Sequence, residues 1–398
     1  MNLKNDFPWL VKNKFIYFDN GATTLKPNCV IDAIKKYYVD YGTNVHNLDS
    51  KFCYQTFKAI QNARQTIASI FNAQAKNVVF CSGATEGLSL IAHGLAHVLP
   101  KNSEVLLNDF EHASNLIPWQ HETKSKHFKL KFAKLQSKKI EDSIFNAISS
   151  KTKVVSIALT SNVYGNMVDY KTLVTKIRKK WKDIVIIADA AQYIPYKNVD
   201  TKCGIDFVVC SAHKMLGPTG IGAVYVANKW LNILPPLRFG GGMNEVISHS
   251  SFTYAHEFEK FEGGSLPSAQ ILGWQAAIKY LNKVGREKIY QHSLELKKYF
   301  VKRAKEIKNL IIFNPNTPLS IILINYKKVH SQDFANWLGS KGFIVRAGLS
   351  CAKLSKYPLK VDNFVRVSLY LYNTKQEIDK FINTVKKFKH GDELSTII

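Results

Sequence analysis

The chain has 398 residues and a hydrophobic content of 46%, which is enough for a sizeable core and for two domains. No apolar run approaches the roughly 20 residues of a membrane span, and the first residues lack the apolar middle of a signal peptide. We therefore expect a cytoplasmic protein with no membrane partner. The formal charge of +25 favours no nucleic-acid partner, because only seven of the 55 basic residues are arginine and the lysines are spread along the chain.

The cysteines are widely separated and form no C-x-x-C pair. The chain contains six of them: Cys29, Cys53, Cys81, Cys203, Cys210 and Cys351. This spacing argues against a zinc site or a disulfide framework and suits free thiols in a reducing compartment. We predict no metal site.

Apolar runs alternate with amphipathic segments from about residue 77 onward. The predicted strands cover residues 77–80, 103–108, 129–135, 153–160, 183–190, 206–212 and 220–227. The predicted helices among them include residues 85–99, 140–150 and 170–182. Strands that are apolar throughout and alternate with helices indicate an α/β fold with a mostly parallel sheet covered on both faces.

The pattern changes around Ser268 to long, lysine-rich helices. Helices are predicted for residues 268–284, 286–307 and 375–388, and strands for residues 310–313, 319–326, 343–348 and 364–372. We interpret this part as a smaller α/β domain. The predicted domains are therefore residues 15–267 and 268–398, and residues 1–14 are expected to pack with the smaller domain.

Small or polar residues follow five of the predicted strands. They are Ala84 with Thr85, His112, Asn162, Asp189 with Gln192, and Lys214. In parallel α/β sheets the ligand lies at the carboxyl ends of the strands, so these loops are expected to form one site. The small residues before the helix at residues 85–99 suit a phosphate group at a helix N-terminus.

A phosphate cradle, an acid after a strand, a stacking histidine and a loop lysine together describe a pyridoxal phosphate site. This cofactor needs a lysine amine for its Schiff base and an acid that keeps its ring nitrogen protonated. Lys214, in "SAHKMLGPTG", and Asp189, in "DAAQ", are the residues of these types at the expected places.

These motifs make the chain similar to a known family. With "YFDNGATTLKP", "EHASN", "FEGGS" and "RAGLSC", they resemble the class V aminotransferases, and within that family the cysteine desulfurases of the SufS (group II) type. The resemblance covers nearly the whole chain. It implies the PLP-dependent transferase fold type I, with a large domain and a smaller α/β domain, and L-cysteine as substrate.

The resemblance also implies a role for each matching position. The catalytic residues would be Lys214, Cys351 and His112. The cofactor-binding residues would be Ala84, Thr85, His112, Asp189, Gln192, Ser211, His213, Lys214 and Ser265. The substrate-binding residues would be His46, Asn162, Arg346 and Arg366. Ser265 matches a position that reaches the phosphate across a dimer interface, which implies a homodimer.

Cys351 decides the predicted subgroup. It lies in a Gly-, Ser- and Lys-rich loop five residues after Arg346, where cationic neighbours favour the thiolate. In the family this cysteine attacks the substrate sulfur and becomes a persulfide, while the substrate becomes alanine. The short loop resembles group II enzymes, which pass the sulfur to an acceptor protein of the SufE or SufU type for iron-sulfur cluster assembly.

The chain departs from the family pattern beside this cysteine. Leu349 and Ser350 stand where histidines are usual, and Ala113 stands where a second histidine is common. Two alternatives stay open. One is a selenocysteine lyase or another class V lyase or aminotransferase, which would need Cys351 only for packing or would discriminate its substrate by selenium. The other is a basic, non-catalytic binding protein, which would be expected to lack the cofactor residues.

Overall fold

The structure is a computed structural model that describes residues 3–45, 48–126, 128–134 and 139–396. Within these ranges the strands are β1 (Ile16–Tyr17), β2 (Val78–Cys81), β3 (Glu104–Asn108), β4 (Lys129–Ala133), β5 (Thr152–Ala158), β6 (Val185–Asp189), β7 (Phe207–Ser211), β8 (Gly222–Val226), β9 (Asn244–Ile247), β10 (Phe252–Tyr254), β11 (Leu310–Ile312), β12 (Ile321–Tyr326), β13 (Phe343–Ile344), β14 (Arg346–Ala347) and β15 (Val365–Ser368).

Some of the α-helices of the same ranges begin at a residue whose side chain caps the helix. The α-helices are α1 (Pro8–Lys12), α2 (Asn28–Lys36), α3 (Lys51–Ser69), α4 (Ala84–Val98), α5 (Ala113–Lys126), α6 (Ile140–Ala147), α7 (Tyr170–Lys180), α8 (Asn228–Leu231), α9 (Ser268–Val284), α10 (Arg286–Ala304), α11 (Ser331–Ser340), α12 (Lys356–Leu359) and α13 (Lys375–Lys386). The side chain of Ser50 accepts the amide of Cys53 at α3, and Thr374 and Glu377 form a capping box at α13.

A seven-stranded sheet forms the centre of the larger part, in the order β2-β8-β7-β6-β5-β3-β4. The strands from β7 to β4 are parallel, whereas β8 runs antiparallel to both β2 and β7. Successive residues of a strand face opposite sides, so Val208 and Val209 of β7 belong to two different apolar cores. Burial on both faces explains why most of these strands are largely apolar, whereas the edge strand β4 is less buried and contains two lysines.

The C-terminal part has its own antiparallel sheet in the order β11-β12-β15-β14. Ile322, Val367 and Phe381 are among the buried residues of its separate core. The predicted strand over residues 343–348 is two short strands instead, because β13 pairs with β1 while β14 pairs with β15.

The N-terminal segment packs against this C-terminal part. β1 pairs in parallel with β13, and Phe18 is buried in the C-terminal core. Lys4 forms an ion pair with Glu377 of α13. The domain limits stay a prediction; the packing of α9 with α2, and the burial of its Trp274 in the core of the larger sheet, favour a boundary after this helix.

The described residues contain neither a membrane-spanning helix nor a cluster of metal-ligand side chains. None of the helices there combines the length and the apolar character that crossing a bilayer requires. The same residues contain no group of three or more His, Cys, Asp or Glu side chains placed to hold a metal ion.

Candidate active site

A cavity of about 360 Å³ lies where the loops after β2, β3, β5, β6 and β7 meet. This volume falls within the ordinary range of small-molecule sites. Its lining contains eleven of the predicted site residues: Ala84, Thr85, His112, Asn162, Asp189, Ser211, His213, Lys214, Arg346, Cys351 and Arg366. Six of the eleven were predicted to follow strand ends, namely Ala84, Thr85, His112, Asn162, Asp189 and Lys214, and the fold brings these six together. The other five were implied by the family resemblance.

Lys214 ends a short 3-10 turn that directly follows β7. Its ammonium group is buried, and burial lowers its pKa, while the attraction of Asp189 partly opposes this shift. It forms no hydrogen bond or ion pair within the described residues. A lowered pKa increases the share of neutral, nucleophilic amine at a given pH.

Asp189 is the last residue of β6, the strand beside β7. One of its carboxylate oxygens accepts the amide of Ala191 at 2.9 Å, which fixes the side chain at the start of the loop. The carboxylate is buried and lines the same cavity as Lys214. It therefore offers a fixed negative charge to a cationic group bound there.

The N-terminus of α4 opens into the cavity. Gly83 precedes the helix without a side-chain cap, and the amide of Ala84 donates to the hydroxyl of Ser211 at 2.7 Å. A Cβ atom on Gly222 would lie 2.7 Å from the Cα of Gly83, so glycine is required for β8 to approach this loop. Helix N-termini of this kind favour anions.

Two histidines of the cavity are neutral at pH 7. Burial, with repulsion from Lys214, lowers the pKa of His112, although Asp189 opposes this shift. Burial, followed by Lys214 and Lys26, lowers the pKa of His213 to about 4. Ser114 holds the His112 ring, since its hydroxyl lies 3.0 Å from Nδ1. A neutral imidazole at this place can accept a proton.

Arg366 is the buried cation on the other side of the cavity. Its Nη2 donates to Asp19 at 2.8 Å and its Nη1 to the carbonyl of Asn162 at 2.8 Å. The Nε of Arg366 and the Oδ1 of Asn162 are buried and have no partner among the described residues. Arg346 lies 3.6 Å from the same Asp19 carboxylate. The arrangement suits a bound carboxylate.

Cys351 lies on a short loop between β14 and α12 and is exposed at the cavity. Its carbonyl accepts the amide of Ala113 at 2.7 Å, which ties the loop to the start of α5. Ser350 precedes it with a φ of +49°, and Leu349 packs against the small apolar cluster that contains Ala352. The departure at residue 349 thus gives this loop an apolar anchor.

Two of the predicted site residues lie elsewhere. Gln192 is buried outside the cavity lining, where its amide donates to the carbonyl of Gly21 at 2.7 Å. Ser265 is exposed and does not line the cavity of its own chain. His46 lies outside the described residues. The roles of all three stay predictions.

The segment of residues 19–23 belongs to the site but follows none of the predicted strands. Gly21, Ala22 and Thr23 line the cavity, and Asp19 holds Arg366. These residues lie in the motif "YFDNGATT". The motif comes before the part of the chain in which strands and helices alternate, and the strand beside it, β1, has only two residues. A second missed residue, Glu111, is buried beside His112, and burial raises its pKa to about 8.

The fold and the cavity together define the class of protein. The model of the aminotransferase class-V family matches residues 16–381, so the chain belongs to this family. A relative from Ureaplasma parvum, named a probable cysteine desulfurase, is 42% identical over 99% of both chains. Another of that name, from Borreliella burgdorferi, is 38% identical over 97% of this chain and 95% of its own.

A solved structure agrees with this assignment. The apo structure of a cysteine desulfurase from Thermococcus onnurineus aligns with a TM-score of 0.92 at 26% identity, covering 97% of this chain and 96% of the other. The predicted PLP-dependent transferase fold type I is therefore confirmed, as is the class V family. The names of the relatives agree with the predicted enzyme class.

Proposed function

We propose that the protein is a pyridoxal phosphate-dependent cysteine desulfurase of the SufS (group II) type, which converts L-cysteine to L-alanine and carries the sulfur as a persulfide on Cys351. The observation that carries this proposal is one cavity that combines Lys214, whose pKa is lowered by burial, a buried arginine, Arg366, that holds a carboxylate, and an exposed cysteine. A lyase that needs no thiol for its reaction would not require an exposed cysteine, Cys351, in this cavity.

The residues present fit the cofactor. The uncapped N-terminus of α4 supplies an anion site for its phosphate, with Thr85 and Ser211 in the lining. Asp189 would hold its ring nitrogen, and Lys214 would bind it covalently. When bound, the cofactor withdraws the electrons released at the substrate Cα. His112, neutral and fixed by Ser114, would lie over the ring.

The chain's own residues orient the substrate and move its proton. The partnerless Nε of Arg366 and the side chain of Asn162 would bind the carboxylate of L-cysteine. Asp19 keeps the guanidinium in place. The amine of Lys214 would take the proton from Cα, and burial favours this because it lowers the pKa of the amine and so favours its neutral form.

Cys351 would perform the sulfur transfer. Its thiolate attacks the substrate sulfur, so that a sulfur-sulfur bond forms and the carbon-sulfur bond of the substrate breaks. The electron pair of the broken bond stays with the carbon fragment, and protonation of that fragment gives alanine. This step needs a reduced thiol, which is why we place the protein in the cytoplasm.

The short Cys351 loop supports delivery to a partner. Because its carbonyl is bound to Ala113, the loop cannot carry the thiol far, and the acceptor must come to it. We infer an acceptor protein of the SufE or SufU type that serves iron-sulfur cluster assembly. The exposed Ser265 would complete the phosphate site of a second copy in a homodimer.

The decisive experiment mixes the purified holoenzyme with L-cysteine and measures alanine, sulfide and the persulfide on each cysteine. Selenocysteine and other amino acids are measured in parallel. Cys351→Ser should keep cofactor absorbance yet form no persulfide, and alanine release should fall by at least ~1,000-fold, since a hydroxyl is a far weaker nucleophile than a thiolate. Lys214→Ala should lose the visible absorbance of the covalently bound cofactor.

The matched control is Cys29→Ser, because Cys29 is likewise exposed but lies on α2. It should desulfurate L-cysteine at the wild-type rate. Alanine formation that survives Cys351→Ser would identify a lyase instead. Activity on selenocysteine alone would identify a selenocysteine lyase.

A further inference from the structure

A second concavity, of about 740 Å³, lies beside the catalytic cavity and shares no lining residue with it. We call it the aromatic groove and define it by Phe110, Tyr164, Met167, Pro318, Tyr357 and Leu359. None of these residues has a role in the proposed reaction. The groove therefore needs its own explanation.

The aromatic groove borders the Cys351 loop. Residues 350 and 351 line the catalytic cavity, and residues 357–360 line the groove, so one short segment forms a wall of both. Phe110 lies two residues before His112, and Tyr164 two residues after Asn162. A molecule seated in the groove would thus lie next to the thiol that carries the sulfur.

The centre of the groove is aromatic. The rings of Phe110 and Tyr164 stack with their centroids 5.0 Å apart and their planes within 4°. Tyr357, on α12, has 62% of its surface exposed. Exposed tyrosines next to apolar concavities are characteristic of protein interfaces, where they contribute much of the binding energy.

The border of the groove is basic. Lys353, Lys356 and Lys360 are exposed, and none of them forms an ion pair within the described part of the chain. Lys356 lies 5.3 Å from the centroid of the Tyr357 ring. Among the described residues that line the groove the one acid is Glu141, which is buried, and the exposed Asp362 lies two residues after Lys360. The excess of positive charge selects a partner with an acidic contact surface.

We propose that the aromatic groove and these three lysines form the docking surface for an acidic sulfur-acceptor protein that brings its own thiol to Cys351. This proposal rests on the proposed function. In the transfer, the acceptor thiolate attacks the outer sulfur of the Cys351 persulfide. A new sulfur-sulfur bond forms on the acceptor, the one on Cys351 breaks, and Cys351 leaves as a thiolate. No external oxidant or reductant is consumed.

The test uses holoenzyme whose Cys351 has been persulfidated with L-cysteine and then freed of substrate. Two synthetic peptides with one cysteine each are compared: one carries Asp and Glu around the cysteine, the other Lys at the same positions. We expect sulfur transfer, followed by mass spectrometry, to be about tenfold or more faster to the acidic peptide at low salt and to slow as salt is added.

Charge-reversal variants test whether Lys356 and Lys360 cause the preference for the acidic peptide. The double variant Lys356→Glu/Lys360→Glu should lose the preference for the acidic peptide while releasing alanine at the wild-type rate with a small thiol as acceptor. The matched control is Lys179→Glu/Lys180→Glu on α7, where Lys180 lies 4.3 Å from the Trp181 ring, as Lys356 lies over Tyr357. The control should keep the preference.

The outcomes separate the two proposals. If no persulfide forms on Cys351, the proposed function fails before docking is tested. The proposed docking surface is contradicted if the persulfide forms but both peptides react equally fast. It is also contradicted if the two double variants show the same preference for the acidic peptide. Tighter binding of a short oligonucleotide than of the acidic peptide at Lys356 and Lys360 would also overturn it, because the groove would then be a polyanion site.

Discussion

Glu111 illustrates how one buried side chain can organise a site. Its carboxylate accepts the amide of Ala158, the side chain of Asn115 at 2.7 Å and the side chain of Asn108. It therefore joins β3, α5 and β5 next to His112. Burial raises its pKa to about 8, although the hydrogen bonds from Asn115 and Ala158 oppose the shift.

This raised pKa makes the stability contribution of Glu111 depend on pH. Because the folded-state pKa lies above the unfolded one, the contribution is greatest below pH 4.5 and is lost as the pH rises through about 8. In Glu111→Gln, the loss of melting temperature relative to wild type should be smaller at pH 9 than at pH 5. Glu295→Gln, on the exposed face of α10, should show no such trend in the same thermal scans.

Arg366 allows a second test at this scale. Arg366→Lys keeps the charge but loses the planar fork that binds Asp19 and that, in the proposed function, would bind the substrate carboxylate. Hydrogen bonds to charged groups contribute about 1.5–3 kcal/mol, so kcat/KM for L-cysteine should fall roughly 10- to 100-fold, mainly through KM. Arg346→Lys should have a smaller effect, since Arg346 is 49% exposed. Equal effects of both variants on KM would contradict the assignment.

At the scale of elements, α3 and the loop that carries Ser265 are joined by a buried ion pair. Arg64 donates two hydrogen bonds of 2.7 Å to Glu262, and the guanidinium also lies 3.9 Å from the centroid of the Phe258 ring. Glu262 additionally accepts the amide of Phe80 at 2.7 Å. The pair thus fixes the residues just before Ser265.

Glu262→Gln should lower the free energy of unfolding by about 3–5 kcal/mol, because it leaves a buried arginine without its counter-charge. Chemical denaturation monitored by tryptophan fluorescence measures this. The control is Lys171→Met, which removes an exposed ion pair to Asp200 and should cost less than about 1 kcal/mol. Similar losses of unfolding free energy in the two variants would show that the buried ion pair stabilises the protein no more than the exposed one.

The elements also show how far the sequence was informative. Most strands of the large sheet were predicted well because they are buried on both faces and hence largely apolar, and the site residues at their carboxyl ends followed. The edge strand β4 is less buried, and its apolar residues alternate with lysines. β9 and β10 were not predicted, since their residues are largely exposed and lack a buried face. The segment around Asp19 was missed because its strand pairs with residues more than 300 positions away, which no local pattern reports.

At the scale of the whole molecule, the β9–β10 hairpin exposes apolar side chains. Val246 is 60% and Ile247 is 74% exposed, and a cavity of about 340 Å³ lies beside them, with Asn244 and Leu266 in its lining. Exposed apolar groups next to a concavity mark interaction surfaces. The proposed homodimer would cover them and bring Ser265 to the second site.

Val246→Asp/Ile247→Asp should therefore shift the protein from dimer to monomer in sedimentation velocity at micromolar concentration and weaken cofactor retention. Val11→Asp changes a residue of similar exposure, 64%, on α1 and should leave the dimer intact. A wild-type protein that is monomeric, retains its cofactor and is fully active would refute the homodimer.

The pairing of β1 with β13, and of Asp19 with Arg366, has a consequence for biosynthesis. During translation Asp19 emerges early, but its partner is made 347 residues later, near the end of the chain. Ribosomes add about 5–20 residues per second, so a nascent chain spends most of its synthesis with this wall of the cavity missing. A nascent chain that ends before β15 lacks Arg366, so this wall of the cavity is missing. Incomplete chains are therefore not expected to catalyse the reaction of the finished enzyme.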